Sequence, residues 1–130
     1  MEHEIIISNT SDLFRVSAVD VMAFMARGNY TCAVLNNGEE SILSFQLGQV
    51  AAILDQQLGQ DGHLFIRVGR SIIINREYLY TINLPRQELE LRSPQGHKVK
   101  VGRESVSKAA LTQLKSVFEL KLREQKGGTS

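Results

Sequence analysis

The amino-acid sequence predicts a mainly β domain of short strands joined in hairpins, with one internal helix and one C-terminal helix. Three observations carry this prediction. Leu89 and Leu91 alternate with Glu88, Glu90 and Arg92, and Val99 and Val101 alternate with Lys98 and Lys100. That period of two marks strands with one wet face. Turn-forming clusters separate such runs, notably Asn36-Asn37-Gly38 and Ser93-Pro94-Gln95-Gly96, whose residues favour tight turns. In two stretches, around residues 45–58 and from about Glu104 onward, apolar residues instead recur three or four apart, as on one face of a helix.

The elements follow in order. Glu4–Ser8 and Leu13–Ser17 read as strands joined by the polar turn Asn9-Thr10-Ser11-Asp12, because such side chains hydrogen-bond their own backbone. Val19–Ala26 alternates only weakly, and a turn of helix leading into a strand is one reading of it. Tyr30–Leu35 and Glu40–Ser44 form a hairpin through Asn36-Asn37-Gly38, since Asn-Gly tolerates positive φ. Ser44 is then placed to cap a helix carrying Phe45, Val50, Ile53, Leu54 and Leu58, with Gly59 as its left-handed stop. Phe65–Val68 and Ser71–Ile74 are strand-like runs around Gly69-Arg70, where a glycine lets an extended chain bulge and re-aim its neighbour. Strands over Tyr78–Leu84, Gln87–Arg92 and Lys98–Val101 come next. Val106, Ala110, Leu114, Val117 and Phe118 then line a terminal helix, widened by Leu111 and Leu122 and running to Gln125. The domain is expected over residues 1–125, with 126–130 as a loose tail.

Composition bounds the function. The chain has 130 residues, 42% hydrophobic and 22% charged, an ordinary folded domain with enough chain for a modest core. Its one cysteine, Cys32, forbids an intramolecular disulfide and suits a reducing compartment. No apolar run approaches the ~20 residues of a membrane helix, and the N-terminus does not read as a signal peptide. A cytoplasmic location is the expectation. Net charge is only +1, but its distribution is uneven. Residues 1–62 hold two Lys/Arg against eight Asp/Glu, and residues 63–130 hold thirteen against six. A chain so divided can turn one basic face to phosphates.

The most informative stretch is Phe65-Ile66-Arg67-Val68-Gly69-Arg70-Ser71-Ile72-Ile73-Ile74-Asn75. It closely resembles the signature of the LytTR family of bacterial response-regulator DNA-binding domains: Phe-Ile-Arg-Val-His-Arg-Ser, a few apolar residues, then Asn. Gly28-Asn29-Tyr30-Thr31 upstream and Val101-Gly102-Arg103 downstream match two further family landmarks, and the resemblance spans about residues 4–115. It implies an elongated arrangement of small antiparallel sheets and a bacterial transcription regulator. It also implies recognition of double-stranded DNA by loops entering the major groove, without a cofactor. No receiver domain precedes the motif, so a stand-alone domain without a phosphorylation switch is expected.

Carried onto this chain, the resemblance implies base contacts by Arg70, Arg103, Asn29 and Tyr30. Arginine suits that task because its planar fork can donate twice to guanine, and asparagine can read adenine. Tyr30 can stack, reach a phosphate or simply pack; the residues alone leave this open. Ser71, Arg67, Lys98, Lys100 and Lys108 are candidate phosphate contacts, which position a protein without reading sequence. For Arg67, an ion pair on the sheet is the alternative. Asn75, ending a strand, suits capping of the following turn. Two departures stand out: Gly69 replaces the family's usual histidine and Gly102 its usual serine. Both remove a polar group from the presumed DNA face, which predicts altered affinity or preference.

Catalysis has no support in the sequence. His3, His63 and His97 form no metal-ligand spacing. Cys32 lies in an apolar run, and no phosphate loop, nucleophile elbow or metalloprotease motif is present. Neither a small-molecule substrate nor a membrane partner is expected. The competing reading keeps the LytTR scaffold as a protein-interaction module that modulates another regulator. Leu111, Val117, Phe118, Leu120 and Leu122 exceed what one short helix needs for docking. Exposure of part of that surface would suit a homodimer through the C-terminal helix.

Overall fold

A computed structural model describes residues 3–59 and 64–127, with side chains through Arg123. Among the described residues ten strands form three antiparallel sheets. β1 (Glu4–Ser8) and β2 (Leu13–Ser17) make a hairpin, closed by Asn9, whose side-chain oxygen accepts from the Ser11 and Asp12 amides at 2.9 and 2.7 Å. A single 3-10 turn, Ala18–Asp20, leads into β3 (Val21–Arg27). β4 (Tyr30–Leu35) and β5 (Glu40–Leu43) follow, joined by a turn in which Gly38 takes φ 92°. After helix α1 (Leu47–Leu58), β6 (Phe65–Arg67) and β7 (Ile72–Asn75) complete a five-stranded sheet of order β5-β4-β3-β7-β6. β8 (Leu79–Asn83), β9 (Glu88–Arg92) and β10 (Lys98–Val101) form a three-stranded meander before helix α2 (Lys108–Gly127).

The large sheet is covered on both faces. Phe24, Ala33 and Ile73 meet Leu47, Val50, Leu54 and Leu58 of α1 and Ile5 and Ile7 of β1. On the opposite face Met22, Cys32, Val34, Ile72 and Ile74 meet Leu89, Leu91, Val99 and Val101 of the meander and Leu111 and Leu114 of α2. Burial on both faces explains the weak alternation of Val19–Ala26. Val21 through Phe24 are all buried, so both sides of the strand must be apolar. The Gln57 amide closes the core beside α1, accepting from Ile6 N–H at 2.8 Å and donating to its carbonyl at 2.6 Å, as a neighbouring strand would.

Strand ends move by a residue or so, and three helix boundaries differ from the sequence reading. Helix α1 is capped at Gln46, not Ser44: Gln49 reaches back to accept from the Gln46 amide at 2.8 Å. Ser44 lies too early because Thr31 Oγ1 donates to the Phe45 carbonyl at 2.8 Å and holds that residue outside the helix. α2 begins at Lys108, not near Glu104, because Gly102–Ser107 forms a tight connection in which the Gly102 carbonyl accepts from the Ser105 and Val106 amides. The helix extends through Gly127, and residues 128–130 lie outside the described residues. Gly59, at φ 56°, ends α1 as expected.

Candidate nucleic-acid interface

β3 and β7 pair antiparallel, Met25 opposite Ile72, and the Ala26 amide donates to the Ser71 carbonyl at 2.8 Å. The β3–β4 turn, with Gly28 at φ 63°, therefore ends beside the β6–β7 connection, Val68–Ser71. The third landmark joins them from the meander. Val68 N–H donates to Ile72, and the Val68 carbonyl in turn accepts from Ser107 N–H at 3.0 Å. Asn29-Tyr30, Arg70-Ser71 and Arg103 thus gather at one end of the large sheet, from positions about 30 to 40 residues apart in the chain.

The backbone of this end is well held. Ser107 caps α2, its hydroxyl accepting from Ala110 N–H at 3.1 Å, and Gln87 Nε2 donates to the Val106 carbonyl at 2.8 Å. Lys108 follows as an exposed residue in the first turn of α2. Arg70, Arg103 and Asn29 are exposed, and Tyr30 is 52% exposed. None of the four makes a side-chain hydrogen bond or ion pair with another described residue. Ser71 is half-buried and contributes its carbonyl to the sheet.

The remaining candidates stand differently. Arg67 is exposed, but its guanidinium turns into its own loop, donating from Nε to the Gly69 carbonyl and from Nη2 to the Arg70 carbonyl, both at 3.1 Å. Lys100 faces Glu88 at 3.9 Å. Lys98 pairs in register with Arg92 at the opposite end of β10 from the gathered loops. Both lysines lie near the Glu90 carboxylate, which Arg92 first and these lysines second hold below the usual carboxylate range. The structure groups Lys108 with the loops and leaves Lys98 and Lys100 on the flank of the meander.

Two cations absent from the sequence-based set also lie at this end. Arg27 precedes the Gly28 turn and reaches Glu40 at 3.9 Å. Arg86 lies on the β8–β9 turn, next to Gln87, whose amide holds the third loop. Arg27 directly precedes the Gly28-Asn29 landmark, a local signal. Arg86 had none, because only the folded meander brings its turn to this end.

Gly69 also needs a different account. It has no positive φ, so it is not a left-handed bulge. A Cβ there would lie 2.1 Å from the Ser105 carbonyl oxygen; close backbone approach is the reason for glycine. At Gly102 the nearest atoms to an added Cβ would be those of the Glu104 carboxylate, at 3.2 Å, a flexible neighbour.

Among the described residues no cluster of His, Cys, Asp and Glu could hold a metal ion, and no helix is long and apolar enough to cross a membrane. His63 lies outside the described residues. Cys32 is buried, and burial first, with its hydrogen bond to Glu40 at 3.3 Å second, pushes its thiol up to about 11. A thiol so placed is not an activated nucleophile.

Comparison with known proteins agrees with this fold. The family model of the LytTr DNA-binding domain matches residues 11–116. The chain belongs to the LytTr DNA-binding domain family. A solved structure described as the LytTr DNA-binding domain of a methyl-accepting/DNA response regulator from Bacillus cereus has the same fold, with a TM-score of 0.53 at 19% identity. That match covers 79% of this chain and 89% of the other. No curated protein matches. As a LytTr domain the chain falls in a class associated with DNA binding and transcription regulation, and its mostly β fold of small antiparallel sheets with two helices is the family's.

Proposed function

We propose that this LytTr domain is a cytoplasmic bacterial transcription regulator that binds duplex DNA sequence-specifically through the gathered loops, without catalysis or cofactor. The observation that carries the reading is the group of side chains at that end. Arg70 and Arg103 are exposed on anchored loops, and their side chains pair with no other described residue, so their donors remain available to base edges in the major groove. Asn29 and Tyr30 extend the reading surface along the sheet end. Ser71 and Lys108 supply phosphate contacts, with Lys98 and Lys100 as outlying ones and Arg27 and Arg86 as additions.

The test is selection of bound duplexes from a random pool by the native protein and by Arg70→Ala/Arg103→Ala. An enriched motif that the double variant loses supports the reading. Absence of enrichment, even at low salt, overturns it.

A second reading, the interaction module or homodimer, draws on α2. Leu111 is fully buried and Phe118 half-buried, so neither is surplus. Val117, Leu120 and Leu122 are about half exposed at 47%, 53% and 51%. They leave apolar surface on the distal half of the helix that a second copy would cover. A solution mass equal to one chain at high micromolar concentration would count against the dimer.

A further inference from the structure

Arg67 and Gly69 act on the same turn from opposite sides. The Arg67 stem leaves β6 opposite Ile73 and lines a small cavity with Ala51, Leu54, Asp55 and Phe65 on the α1 face. Its guanidinium then folds over the turn and grips the Gly69 and Arg70 carbonyls. A planar fork is suited to this because both donors are fixed relative to one another. Across the turn, Gly69 lies so close to the next loop that a Cβ would stand 2.1 Å from Ser105 O and 2.9 Å from Val106 Cα. Both atoms are backbone, so no side-chain rotation relieves the contact. The partner loop cannot easily retreat, because Val106 is tied to Gly102 and Gln87, and Ser107 to Val68.

We propose that Arg67 and Gly69 are positioning residues that hold the Arg70 loop against the Arg103 loop, so that the two arginines face DNA as one unit of fixed spacing. This rests on the proposed reading of Arg70 and Arg103 as base contacts. It reassigns Arg67 from phosphate contact to loop clamp. It also gives the glycine at position 69 a role of its own: any larger residue there must part the two loops. Sequence preference under both arginines then depends on residues that touch no base.

The test compares Arg67→Ala, Arg67→Lys and Gly69→Ala with the native protein in two ways. Amide hydrogen exchange of residues 69–71 and 103–107 is measured in the free protein. Binding to the duplex that the native protein enriches, and to random duplex, is measured across a salt series. The expected result is faster exchange in both segments for Arg67→Ala and Gly69→Ala. The cognate-to-random ratio should fall on the order of tenfold, at the low end of one arginine–base pair's discrimination, with the salt slope unchanged. Arg67→Lys should fail to restore the ratio, because a single ammonium lacks the fork.

Unchanged exchange, equal losses on both duplexes, a slope shallower by ~0.9 and rescue by lysine would together identify Arg67 as a phosphate contact and overturn the proposal. Unaltered exchange and preference in Gly69→Ala would overturn the role of the glycine. If Gly69→Ala does not fold, the exchange and lysine-rescue results at position 67 decide the clamp. If the native protein enriches no duplex, the DNA reading fails, while exchange still decides whether residues 67 and 69 join the loops.

Discussion

The two ends of the five-stranded sheet are both tied by hydrogen bonds, but they differ in which polar side chains the fold uses up. At the end where β3 begins and β7 stops, side chains do the holding. Asn75 Nδ2 donates to the Val21 carbonyl at 2.9 Å and the Ala18 carbonyl at 3.5 Å, and its oxygen accepts from Glu77 N–H at 2.9 Å. Tyr78 Oη donates to the Val19 carbonyl and accepts from Asn36 Nδ2 at 3.2 Å, while Ser93 Oγ donates to the Asn36 carbonyl at 2.7 Å. At the other end backbone bonds join loop to loop, Ala26 to Ser71 and Ser107 to Val68, and the Arg67 and Gln87 side chains add bonds to loop carbonyls. There the side chains of Arg70, Arg103, Asn29 and Tyr30 pair with no other described residue. Polar groups engaged inside the fold stabilise it; polar groups left free on a fixed backbone are preorganised for a partner.

Substitutions should separate the two ends. The largest effect is expected at Asn75, which is fully buried. Asn75→Ala leaves two carbonyls and one amide without their partner and should cost about 3 kcal/mol in urea unfolding. DNA preference of the folded fraction should be unaltered; a loss under 0.5 kcal/mol would dissolve the distinction between the ends.

Arg70→Ala and Arg103→Ala should do the reverse. Each should weaken the preferred duplex by ~1–3 kcal/mol and relax preference, with stability within about 0.5 kcal/mol of native. Equal weakening on cognate and random duplex would remove the residue from the base-reading set.

Smaller again is the phosphate contribution. Lys108→Ala should weaken all sequences alike and flatten the log–log salt slope by ~0.9. Lys100→Ala should act in the same direction but less, because its ammonium faces Glu88 at 3.9 Å; the reverse order would move the interface onto the meander.

The last effect, absent at neutral pH, is a pH dependence at neither end. The Cys32 thiol is raised in the folded state from its ordinary 9.0 to about 11, so the native protein holds a proton that the unfolded chain releases. Stability should therefore fall as pH rises from about 9 to about 11. In Cys32→Ala that part of the decline should vanish, as followed by denaturant titration.

Much of this was legible in the sequence. Asn36-Asn37-Gly38 marked its hairpin, and the period of two placed β9 and β10, because these depend on residues within a few positions of each other. Asn75 could be read as a turn cap from its place at a strand end, and its side chain does accept from Glu77 N–H. Its grip on Val21 and Ala18, more than fifty residues away, could not. The motif around Arg70 brought the family with it, and the family match and fold agree.

Local chemistry thus determined the strands, the turns, the α1 stop at Gly59 and the residue types available for DNA. Tertiary structure decided which of those residues share a surface. Arg103 and Arg86 come to the same sheet end as Arg70 only through antiparallel pairing and loop contacts between distant segments. Arg67 is turned inward by two carbonyls, and Gly69 owes its place to a carbonyl thirty-six residues later. Alternation and turn preference act over a few residues of chain, whereas the distance between two loops is set by how whole sheets pack.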